Sequence, residues 1–243
     1  MVGRAKVPAA GVSLAEGRRA GTDRDHGDRP GCQCRDGGQR SEGERQADVY
    51  KGGVGFVPNL AVCDNVVDVL VIDPRPGNAT SNDAADNIAA LTAAITAIPG
   101  TYRRKVLIRL DGAGSSHELL EHIATGGGVK RRTWEFSVGW AYTDREIDAI
   151  GRAPKTLWQQ GIDQDGTPLD DTWVADITGL LDLSEWNQKI PGLRIIARDE
   201  PLHPKDTKRA SDREKARGWR DQLIAVNARP GCTYPPTGPG PPT

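Results

Sequence analysis

Lys105-Val-Leu-Ile-Arg-Leu-Asp111-Gly-Ala-Gly-Ser-Ser-His-Glu-Leu-Leu-Glu-His-Ile123 is the stretch that decides how the chain is read. A short apolar run ends in one carboxylate, a Gly-rich turn follows, and an amphipathic helix comes next with Leu119, Leu120 and Ile123 on one face. Open α/β sheets place their chemistry at the carboxyl ends of such buried strands. Asp111 therefore has two readings: a metal-binding or catalytic carboxylate, or a cap for the helix that starts near Ser115. The turn Gly112-Ala-Gly-Ser-Ser116 also has the look of a phosphate cradle, but it lacks Walker A spacing and its lysine.

Working outward, Val66-Val-Asp-Val-Leu-Val-Ile72 reads as a buried strand bounded by Asn65 and Pro74. Asp83 and Asp86 open a helix whose apolar face is Ile88, Leu91, Ile95 and Ile98, and Pro99-Gly100 stops it. Trp134, Phe136 and Val138 alternate along a strand from Thr133, and Thr143 caps a short helix running to Ile150. Further strands are expected at 172–178, 193–198 and 219–227. Strands interleaved with helices indicate a layered α/β domain.

Two segments read differently. Residues 1–46 contain no Ile, Phe, Tyr or Trp and are rich in Gly, Arg and Asp, so disorder is expected there. Residues 228–243 are a Pro/Gly-rich tail, also expected to be disordered. The 243 residues are 37% hydrophobic, which fits a folded core with weakly ordered ends. A net charge of -1 is silent on nucleic acid, because local charge is what binds phosphate. The four cysteines have no zinc-ligand spacing. No apolar run approaches the ~20 residues of a membrane span, and the N-terminus does not read as a secretory signal, so a cytoplasmic setting is expected.

His117 and His122 are spaced i,i+5 and cannot form a metal pair on one helix face. Glu118 and Glu121 read as a solvated face. Lys130-Arg131-Arg132 forms a basic turn beside an aromatic strand. Lys205, Lys208, Arg209, Arg213, Lys215, Arg217 and Arg220 form a denser basic stretch, diluted by Asp206, Asp212 and Glu214. Both could follow a nucleic-acid backbone, with Lys130, Arg131, Arg132, Lys208 and Arg209 as the candidate DNA contacts, or both could be ordinary solvated loops.

Several motifs, taken in order, resemble one family. They are Lys51-Gly-Gly-Val-Gly-Phe56, Arg75-Pro-Gly-Asn78 with Ser81-Asn82 and Ala85-Asp86, Asp111-Gly-Ala-Gly114 with His117, and Ser137-Val-Gly139. Thr178-Gly-Leu-Leu-Asp-Leu183 with Glu185-Trp186, and Gly218-Trp219-Arg220 leading into Ala225-Val-Asn227, continue the series. Together they are similar to the DDE transposases of bacterial insertion sequences, in the group with a large insertion inside the catalytic domain. The resemblance covers about 47–227. It implies an RNase H-like mixed sheet with flanking helices, an insertion at about 139–218, and three carboxylates around two Mg²⁺ (or Mn²⁺) ions. Those ions would drive in-line displacement at DNA phosphodiesters. The implied partner is DNA, at the terminal inverted repeats of the element, with further copies of the transposase as a second partner.

In that family pattern Asp111 corresponds to the second of the three acids. The first should stand on a strand ending Asp-x-Asp shortly before Lys51, and the third on a helix after Asn227. Neither can be read in this sequence. Codons compatible with 23–38, read one base later, can spell an apolar strand ending Asp-Leu-Asp. Residues up to about 46 are therefore expected to be out of frame relative to the ancestral gene, with a second slip after Asn227. A chain left with one of three acids is expected to lack strand transfer, and a sheet without its first strand to be poorly stable. Three functions follow: a transposase-derived chain inactive as it stands, a non-catalytic DNA-binding remnant, and an α/β phosphotransfer enzyme using Asp111, the Gly-rich turn and a second acid such as Asp73 on a small substrate.

Overall fold

The computed structural model describes residues 10–16, 47–48, 54–76, 79–80, 83–110, 116–163 and 165–228, with side chains left aside at 10–16, 47–48 and 54–57. Its frame is one mixed sheet of ten strands. In chain order these are β1 (Ala10–Glu16), β2 (Ala47–Asp48), β3 (Val54–Cys63), β4 (Asp68–Pro76), β5 (Lys105–Leu110) and β6 (Thr133–Gly139). Then come β7 (Gln159–Ile162), β8 (Pro168–Asp176), β9 (Arg194–Pro201) and β10 (Trp219–Val226). The helices are α1 (Ala84–Ala97), α2 (His117–Ala124), α3 (Asp144–Arg152), α4 (Ser184–Lys189) and α5 (Asp212–Arg217).

Across the sheet the order is β4-β3-β1-β5-β6-β10-β9-β8-β7, with β2 on the outer half of β3. β3 is antiparallel to both β4 and β1, while β1, β5 and β6 are parallel. The remaining strands add antiparallel to β6. The layered α/β expectation therefore holds.

Of residues 1–46, where disorder is expected, 1–9 and 17–46 lie outside the described residues. Ala10–Glu16 is the strand between β3 and β5, with Val12 opposite Cys63 on one side and Ile108 on the other. The slot that was expected to lack a strand is filled. The physical reason is long-range. A seven-residue stretch alternating Val12 and Leu14 with small residues has little local signal, but two strand edges offer it a full set of backbone partners.

The elements with strong periodicity form where expected. Leu91, Ile95, Leu119, Leu120 and Ile123 pack from α1 and α2 onto Ala61, Ile108, Phe136 and Val138 in one core. Asp83 caps α1 by accepting from the amides of Ala85 (3.0 Å) and Asp86 (3.2 Å). Ser116 caps α2 through the amide of Leu119. The strand expected at 66–72 is displaced to 68–76. Val66 lies in the tight turn after β3 and Val67 takes a positive φ of 57° there, a costly place for a β-branched residue, and both are exposed.

Asn227 extends the β10–β6 ladder with its side chain. Its Oδ1 accepts from the Phe136 amide at 2.7 Å and its Nδ2 donates to the Trp134 carbonyl at 3.2 Å. Asn227→Ala strands the Phe136 N–H, so a loss of about 1–3 kcal/mol is expected in urea unfolding. An unchanged midpoint would show that the amide carries no such role.

Candidate functional site

The carboxyl ends of β1, β4, β5 and β6 share one edge of the sheet, and the connections to α1, α2 and α3 leave from it. This is where α/β sheets carry ligands. β5 ends at Leu110 on this edge. Residues 111–115, Asp111 among them, lie outside the described residues.

Around that edge the structure assembles several groups. His117, the first residue of α2, stacks on Trp186 of α4 with ring centroids 3.3 Å apart. Trp140, just past β6, meets Trp186 edge-on at 4.8 Å. Lys189 reaches Glu121 at 4.0 Å, so α4 is tied to α2 twice. Glu146 is fully buried at the start of α3. Burial pushes its carboxyl up, but hydrogen bonds from Thr143, Arg145 and Trp140 outweigh this and hold it below the usual range. Arg75, at the end of β4, is 3% exposed. It donates to the Thr80 carbonyl at 2.8 Å and lies 3.7 Å from Asp86.

Beyond β6 the sheet continues through β10 and past this edge. Only Ile224, Ala225 and Val226 of β10 pair with β6, opposite Gly139, Val138 and Ser137. The first five residues of β10 therefore run past the edge, about 17 Å at ~3.3 Å per residue. At the far end of this projection α5 rests on β10.

A charged cluster is buried there. Asp199 and Asp221 face each other on β9 and β10. Arg217 donates Nη2 to Asp199 (2.9 Å) and Nη1 to Asp221 (3.0 Å). Arg213 Nη1 reaches Asp221 at 2.6 Å, and the Tyr142 hydroxyl donates to the same oxygen at 2.7 Å. Arg213 also lies against the Tyr142 oxygen. Burial, then the Asp221 carboxylate, raise the Tyr142 phenol well above its usual range, so it stays a donor. Asp199 is 0% exposed and its Oδ1 has no hydrogen-bond partner among the described residues. Burial and then the charge of Asp221 push its carboxyl up to about 6, against the pull of Arg217.

The basic residues divide in a way the sequence does not show. The parallel register of β5 and β6 sets Thr133 beside Lys105, so Lys130, Arg131 and Arg132 lie at the amino edge, about 20 Å along the strands from Leu110. Arg132 covers the Trp134 ring at 5.0 Å. Lys208 and Arg209 lie on the projecting side, beyond the carboxyl edge, and are exposed. Arg213, Arg217 and Arg220 are not free for a ligand. They pair with Asp221, with Asp199 and Asp221, and with Asp206. Sequence reading missed the acids of this cluster. The available signal is an Asp in the buried phase of each strand, as in Ile195-x-Ala197-x-Asp199 and Asp221-x-Leu223-x-Ala225.

Among the described residues no three His, Cys, Asp or Glu side chains gather as a metal site. His117 and His122 point to different partners, Trp186 and Trp134. No described helix is long and apolar enough to cross a membrane. No protein-family model matches the chain, and no curated protein matches it either.

The folded chain holds the Asp199 proton more tightly than an unfolded chain, whose Asp titrates near ~3.9. The stability from this group is therefore full below about pH 4 and is lost as pH rises through about 6. Asp199 meets Asp221 and Arg217 and, through Asp221, Arg213 and Tyr142. Asp199→Asn should flatten this part of the stability profile measured by urea unfolding across that range. Parallel profiles for parent and variant would contradict the assignment.

Proposed function

We propose that this chain is a transposase-derived protein that engages DNA without cutting it. The observation carrying this reading is the carboxyl edge of the sheet. A central parallel strand, β5, ends there immediately before Asp111, helices flank it, and the sheet continues beside it in the stretch that we read as the insertion. This arrangement supports an RNase H-like core of the DDE type with its insertion after β6. His117, Trp186 and Trp140 come together at this edge, and all three lie in or beside the motifs that carry the family resemblance. Glu185-Trp186 and Gly218-Trp219-Arg220, distant in sequence, both belong to the projecting unit.

The absence of cleavage follows from the carboxylates. Asp111 corresponds to one of three metal-binding acids, and the chain offers no counterpart of the other two in the expected sequence positions. One carboxylate cannot hold two magnesium ions in register. What remains is electrostatic attraction to phosphate, which falls with salt.

The test is a pair of assays on the full chain. Duplex DNA should be bound with an affinity that falls as salt rises and is unchanged in Asp111→Ala. DNA bearing the ends of the flanking element should not be cut in Mg²⁺. Cleavage abolished by Asp111→Ala would overturn the inactive reading, and no salt-dependent binding would overturn the DNA-directed one.

A further inference from the structure

We propose that residues 202–218 form a braced arm whose outer cations, Lys205, Lys208 and Arg209, grip the DNA backbone while Arg213 and Arg217 are positioning residues turned inward. The inference rests on the DNA-directed reading and says which part of the chain does the gripping.

The arm is closed at its base, where the Leu202 amide donates to the Gly218 carbonyl at 2.9 Å. Gly218 takes a left-handed φ of 69°, which ends α5 and returns the chain to β10. Within the arm, the Asp206 carbonyl accepts from the amides of both Arg209 and Ala210, making one helical turn. In such a turn positions i, i+3 and i+4 are neighbours, which sets Lys205, Lys208 and Arg209 side by side. All three are exposed, and none forms an ion pair among the described residues. Asp206, which would dilute them, is drawn to Arg220 at 3.4 Å.

The other half of the arm is anchored. Ser211 and Glu214 form a capping box that starts α5. One turn apart, Arg213 and Arg217 reach down to the buried pair Asp199 and Asp221. Two positive and two negative charges balance there, so these arginines add nothing to the outward field. The division of labour is physical. A guanidinium fork held by two buried carboxylates fixes a segment in place, whereas exposed cationic groups on one face release counterions when they neutralise phosphates. The arm rises beyond the same edge that β5 reaches at Leu110, whereas Lys130, Arg131 and Arg132 lie at the opposite edge.

The test measures full-chain binding to a short mixed-sequence DNA duplex against salt concentration. Each phosphate that is no longer neutralised lowers the slope of log affinity against log salt by about 0.9, so the triple variant Lys205→Ala, Lys208→Ala, Arg209→Ala should lower it by about 2.7. Arg217→Lys keeps the charge and removes the fork. It should leave the slope unchanged, weaken binding several-fold, and speed amide exchange within 202–218 alone. A triple variant with the parent slope, or Arg217→Lys with parent affinity and exchange, overturns the arm and leaves the DNA-directed reading standing. A parent chain that shows no salt-dependent binding overturns both.

Discussion

The structure depends on β5 having a partner along each edge. Lys105–Leu110 lies in the middle of the sheet with Val106, Ile108 and Leu110 buried under α1 and α2. Six residues of backbone there need hydrogen bonds on both sides, and each buried group left without one costs about 1–3 kcal/mol. β6 satisfies one side and β1 the other. Without β1 the chain would split into a β3–β4 hairpin and a β5–β10 unit with a raw edge between them.

The second organising feature is stagger. β10 joins β6 over three residues only, so most of the added ribbon stands beyond the edge and does not lie alongside the core strands. That offset brings α4 against the start of α2 and places Trp186 over His117. It also moves the β9–β10 connection well away from the core, where apolar packing is thin and α5 rests chiefly on charge. Buried ion pairs add little net stability, but removing one partner costs about 3–5 kcal/mol, so they fix geometry strongly. The raised carboxyl of Asp199 shows the strain in this solution: two acids share too little solvent, and two arginines compensate.

Much of the core was legible in the sequence, for a local reason. Ile88, Leu91 and Ile95 in α1, Leu119 to Ile123 in α2, and Trp134, Phe136 and Val138 in β6 carry their period within a few residues of each other. Asp83 and Thr143 mark helix starts by side-chain chemistry alone. What was not legible depends on distant partners. Ala10–Glu16 has little intrinsic strand signal and is set by β3 and β5. β3 carries Pro58 and Asn59, which obscure its alternation. At the site, the basic residues look alike in sequence. Only strand register separates Lys130–Arg132 at one edge from Lys208 and Arg209 beyond the other, and only the buried acids separate Arg213 and Arg217 from their neighbours.

The central claim is that β1 closes one continuous sheet, and native-state hydrogen exchange tests it most directly. Strands in the middle of a cooperative sheet exchange only through global opening. The amides of β1 that pair with β3 and β5, over Val12–Leu14, should be protected to the same degree as those of Val106 and Ile108 in β5. Exchange at Val12–Leu14 as fast as in an unstructured peptide, with β5 still protected, would contradict the account.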